Sequence, residues 1–98
     1  MNDTSRFRLL PWRSLDGKAC YLSTADPNSR LSRLADEMEE DQIDCGGVVL
    51  EGAREVLADE AAGEVAVRFA LTQAVLSLGE VLVVARSRGQ RLPDVAGR

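Results

Sequence analysis

Apolar positions change period along this chain, and the change marks its elements. Residues 6–24 hold two short runs around Asp16-Gly17, with Phe7, Leu9, Leu10 and Trp12 before it and Ala19, Tyr21 and Leu22 after it. Such runs on either side of a turn dipeptide predict a β-hairpin. Asp16-Gly17 is the pair favoured in type I′ turns, where both central residues need positive φ. Centring the turn there pairs Leu15 with Lys18 and sets Trp12 opposite Tyr21, a cross-strand aromatic pair worth up to about 1 kcal/mol. Pro11 has no amide hydrogen, so the first strand is expected to lie at a sheet edge or to break there. Two strands are marginal alone and need helices to rest on.

From residue 26 the period lengthens. Asp26-Pro27-Asn28-Ser29 is a helix-start signal: Asp26 can cap free N–H groups, and Pro27 suits the first helical position. Leu31, Leu34, Ala35, Met38, Cys45, Val48, Val49, Gly52, Ala53 and Val56 then recur mostly at three- and four-residue steps, which predicts a helix over 27–58. Gly46-Gly47 within it costs about 2 kcal/mol relative to alanines. Either the helix kinks there or a neighbouring backbone comes close; a continuous, kinked helix is expected, with a break as the alternative.

Residues 59–63 allow only an antiparallel return. The helix expected over 64–88 is apolar on two sides. One stripe is Val65, Phe69, Thr72, Leu76, Gly79 and Val83; the other is Leu71, Val75, Leu78, Leu82 and Ala85. A helix apolar around most of its circumference is a buried helix. One neighbour cannot cover both stripes, whereas a second subunit can. Arg86 and Arg88 complement the carboxyl end of the helix dipole, Gly89 is placed as the residue after the helix, and 89–98 read as a loose tail.

The expected architecture is therefore a single α+β domain, mostly α. An N-terminal β-hairpin is followed by an antiparallel helical hairpin, and two copies form a four-helix bundle. Its interface is led by Phe69, Leu71, Val75, Leu78 and Leu82. At 98 residues a lone domain hides only about 60–65% of its unfolded surface, so it must pack well or share its core with a second chain. The four aromatics are Phe7, Trp12, Tyr21 and Phe69, so the helices must be packed by Leu, Val and Ala.

Charge is segregated. Residues 1–33 carry +3, residues 34–64 carry −10 with Arg54 as their one basic residue, and residues 65–98 carry +3. An acidic middle between basic ends can complement itself within a fold or a dimer, and it argues against a contiguous nucleic-acid surface. No early apolar run marks a signal peptide. The longest weakly charged stretch, Phe69 to Gly79, is about half a membrane span. A cytoplasmic protein without membrane contact is expected. Cys20 and Cys45 lack metal or redox spacing and are expected to be reduced, buried thiols.

Chemistry-bearing groups are few. With no histidine, the serines and threonines lack the usual base to activate them, and no catalytic residue and no cofactor is assigned. Arg8, Trp12, Arg13 and Tyr21 form a basic and aromatic group suited to a partner surface, or simply an exposed strand face. The densest constellation is acidic: Glu37, Glu40, Asp41 and Asp44 can share one helix face and hold a hydrated divalent ion. Glu37-Met38-Glu39-Glu40 resembles the Glu-x-x-Glu arm with which helical nucleotide pyrophosphohydrolases hold magnesium. Their second arm, Glu-x-x-Asp, is matched only by Glu80-Val81-Leu82-Val83. The simpler readings are a solvated acidic face or a docking surface for a basic partner.

The run Phe7-Arg8-Leu9-Leu10-Pro11-Trp12, then Gly17-Lys18-Ala19-Cys20-Tyr21-Leu22-Ser23-Thr24, then Leu31-Ser32-Arg33-Leu34-Ala35-Asp36, resembles the opening of short actinobacterial proteins without assigned activity. The resemblance covers roughly the first 40 residues and implies a lineage and a ββαα layout, not a mechanism. The functional expectation is a non-enzymatic homodimeric adaptor, binding or regulatory, that presents its acidic helix or its hairpin to a protein partner. The alternative is a magnesium-dependent nucleotide pyrophosphohydrolase-like enzyme.

Overall fold

The computed structural model of the chain describes residues 7–23 and 29–92. Its order is β1 (Phe7–Arg13), β2 (Ala19–Ser23), α1 (Arg30–Ala58) and α2 (Glu64–Arg91). The fold is α+β and mostly helical: a two-stranded antiparallel hairpin followed by two helices.

The hairpin forms where expected, with a different turn. The Gly17 N–H donates to the Ser14 carbonyl and the Ser14 N–H to the Lys18 carbonyl, each at 2.9 Å. Gly17 has φ +81°, while Asp16 does not have positive φ. This is a three-residue loop closed by a left-handed glycine, not a type I′ turn, which would need both residues left-handed. Ser14 stabilises it: its hydroxyl accepts from the Lys18 N–H at 3.2 Å and donates to the Asp16 carboxylate.

Pairing runs Phe7 with Ser23, Arg8 with Leu22, Leu9 with Tyr21 and Arg13 with Ala19, the register shifting between Leu9 and Arg13. Tyr21 therefore opposes Leu9, and the expected Trp12–Tyr21 pair does not form. Pro11 cannot donate to the ladder, and the extra residues of β1 bulge out around it.

α1 begins at Arg30, later than the residue 27 expected, with Ser29 as its cap; the Ser29 hydroxyl accepts from the Ser32 N–H at 3.2 Å. Asp26, Pro27 and Asn28, the remainder of the start signal, lie outside the described residues. The helix runs unbroken through Gly46-Gly47. A Cβ added at Gly46 would stand 3.2 Å from Val81 Cγ2 and 3.3 Å from Ser77 Oγ, so Gly46 is where α2 comes close. Gly47 has open space around it. After a link at 59–63, α2 passes through Gly89, expected to end it, and stops at Arg91. Its last turn is tethered, because Arg88 and Arg91 both reach carboxylates on α1.

The helices meet through small and polar side chains and valines. On α1 the covered row is Ala35, Glu39, Gln42, Gly46, Val49, Ala53 and Val56; on α2 it is Ala70, Ala74, Ser77, Val81 and Val84. The face expected to be buried on α1 is thus rotated, and Leu31, Leu34 and Val48 are exposed. So is Cys45, beside Gly46 but off the seam, and Cys20 is half-buried; the expectation of two buried thiols is corrected. The hairpin lies mainly against the second half of α2. The Cα radius of gyration is 17.1 Å, against about 13 Å for a compact domain of this length.

Candidate functional site

Three features stand out: a buried ionic cluster, a groove beside it, and an uncovered helix face. The cluster centres on Glu39, whose side chain is 1% exposed. Arg91 donates to both its oxygens at 3.1 and 3.2 Å, and Arg88 Nε donates to Oε1 at 3.2 Å. Arg8 Nη2 lies 3.2 Å from Glu39 and 2.7 Å from Asp36 at ion-pair distance, and Nη1 donates to the Ser32 carbonyl at 3.0 Å. Burial works to raise the Glu39 pKa. The hydrogen bonds of Arg91, Arg88 and Arg8 outweigh it and hold this carboxyl below its ordinary value. Arg88 also reaches Glu40 at 2.7 Å, and first that contact, then Glu39, raises its pKa.

The cluster fastens the hairpin to the helices. Arg8 comes from β1, Glu39 from α1, and Arg88 and Arg91 from α2. The Ser87 hydroxyl donates to the Leu9 carbonyl at 2.6 Å, and Gln42 Nε2 donates to the Pro11 carbonyl at 3.1 Å. Arg8 is therefore withdrawn from the expected partner surface, because it is buried and engaged by Asp36 and Glu39.

The other three members of that surface, Trp12, Arg13 and Tyr21, line an open groove of about 880 Å³. Leu10 joins them from β1, Met38 and Gln42 from α1, and Leu76, Gly79, Val83 and Arg86 from α2. The Gln42 carbonyl oxygen is buried there without a partner.

α1 covers neither apolar stripe of α2. Phe69, Leu71, Val75, Leu78 and Leu82 are between 45 and 66% exposed. Val65, Val67 and Leu76 are exposed as well. Together these eight leave on the order of 800 Å² of apolar side chain in water, taking roughly 150–200 Å² per large side chain. The largest apolar patch on an ordinary monomer is about 300–600 Å².

α2 is also long and apolar enough to cross a membrane by length and composition, with mean hydropathy 1.6 over its best window. That window is wider than the Phe69–Gly79 stretch. α1, packed along α2, carries Glu37, Glu40, Asp41, Asp44, Glu51 and Glu55 in exposed positions. Inserting α2 would drag these carboxylates toward lipid or strip α1 away.

Glu37, Glu40, Asp41 and Asp44 are all exposed, and Glu40 is held by Arg88. Among the described residues no group of three or more His, Cys, Asp or Glu is placed to hold a metal ion. The acidic residue that organises the structure is Glu39, which by sequence sits within the solvated acidic face. Its signal is spacing: Glu39 falls in the row of Ala35, Gln42, Gly46 and Val49. No protein family, curated protein or solved structure matches the chain.

Proposed function

We propose that the protein is a non-enzymatic, cytoplasmic, homodimeric adaptor, in which two helical hairpins associate through α2 as a four-helix bundle and present the acidic helix or the β-hairpin to another protein. One observation carries this reading: α2 turns Ala70, Ala74, Ser77, Val81 and Val84 toward α1 and leaves its leucines and Phe69 in water. About 800 Å² per partner is the area of a standard stable interface. At about 25 cal/mol per Å², covering both copies is worth tens of kcal/mol gross, against association costs of about 4–15 kcal/mol.

Light scattering of the unaltered chain is expected to give the mass of two copies. Leu78→Glu places a charge in the uncovered face and is expected to yield monomer or unfolded chain. A well-folded monomer from the unaltered sequence overturns the reading. Stabilisation by magnesium or manganese together with nucleotide turnover, lost in Glu37→Gln with Glu40→Gln, would favour the hydrolase instead.

A further inference from the structure

Granted the dimer reading, the spacing of α2 fixes how two copies meet. Val65, Phe69, Thr72, Leu76, Gly79 and Val83 succeed one another in steps of four, three, four, three and four. That is the spacing of a coiled-coil seam. It also reads the same from either end, as an antiparallel two-fold pairing requires, because each residue must meet its mirror position. Pairing the row with itself about residue 74 sets Leu76 against the partner's Thr72, Val83 against the partner's Val65, and Gly79 against the partner's Phe69.

The structure has room at that last position. A Cβ at Gly79 would meet nothing within 4 Å, and Gly79 lines the 880 Å³ groove with Trp12, Tyr21, Leu76 and Val83. Phe69, meanwhile, is 66% exposed in its own chain. Charge agrees: Arg13 and Arg86 line the groove against one acid, Glu80, and the helix end that would enter carries Glu64, with Glu60 just before it. A parallel pairing would instead set each acidic end beside its own copy. The row Leu71, Val75, Leu78 and Leu82 is also symmetric in spacing, but α2 offers no glycine there to receive a ring.

We infer that the hairpin groove receives the amino-terminal half of α2 from a second copy, with the partner's Phe69 seated over Gly79. The inference rests on the proposed dimer. The second row, which begins at the groove edge with Val75, then flanks the same interface.

Cross-linking tests this in the full chain carrying Cys20→Ser and Cys45→Ser. Phe69→Cys with Gly79→Cys is expected to form covalent dimers on oxidation, and Val75→Cys with Leu78→Cys is not. Gly79→Leu fills the seat and should weaken dimerisation at least about tenfold while helicity by circular dichroism is kept. Glu64→Arg should also weaken it, and adding Arg86→Glu should restore it. A dimeric mass with cross-links at 75–78, or Gly79→Leu dimerising like the parent, overturns the register while the dimer stands. A monomeric mass for the unaltered chain overturns the dimer itself.

Discussion

Glu39→Gln keeps the shape of a buried side chain and removes the negative charge from among three guanidinium groups. Breaking a fully buried ion pair costs about 3–5 kcal/mol. Here Arg88 and Arg91 are 42 and 28% exposed, so water screens part of their loss. Arg8 is 5% exposed and keeps Asp36 at 2.7 Å. The resulting cost is about 2–4 kcal/mol, equivalent to a Tm lower by roughly 10–25 °C for a domain of this size. Urea unfolding monitored by helical circular dichroism measures it, at one fixed protein concentration because assembly would add to apparent stability.

The effect has a pH signature. Folding lowers the Glu39 pKa from an ordinary 4.5. Its contribution is thus complete above about 4.5 and is lost as pH falls through the lower folded value. The two proteins should differ most at neutral pH and converge in acid. A difference below about 0.5 kcal/mol at pH 7, or one unchanged on acidification, would refute the reasoning.

Gly47→Ala, in open space on a helix, is expected to stabilise by about 0.5–1 kcal/mol. Gly46→Ala should gain less or lose, because Val81 and Ser77 must give way; thermal melts of the two variants make the comparison. Gly17→Ala forces a side chain into left-handed φ and should cost about 1–2 kcal/mol, read by denaturant titration.

Element types are legible in the chain because they rest on period: alternation with a turn dipeptide marks the hairpin, and three- and four-residue steps mark both helices. The illegible features depend on contacts across elements. The bulge at Pro11 shifts the β1 register by two residues, which local propensity does not specify. The extension of α2 past Gly89 depends on salt bridges to Glu39 and Glu40, from a helix about fifty residues earlier. Apolar size does not mark the buried face of α1. The seam is built instead on Ala, Gly and Ser, which allow close approach, and it includes Glu39 and Gln42. The periodicity of α2 does not reveal which face meets α1: both apolar stripes stay exposed in the single chain, and α1 covers a third face.

The two grips from Ser87 and Gln42 close on carbonyl oxygens of β1, at Leu9 and Pro11. Every amino acid offers such an oxygen. Side chains at positions 9 and 11 can therefore drift over evolutionary time without releasing either grip, provided the backbone keeps its path. Ser87 and Gln42 have no such latitude, since only a side chain with a donor at that reach serves. Among descendants of this chain, the clamp should outlast the strand it clamps.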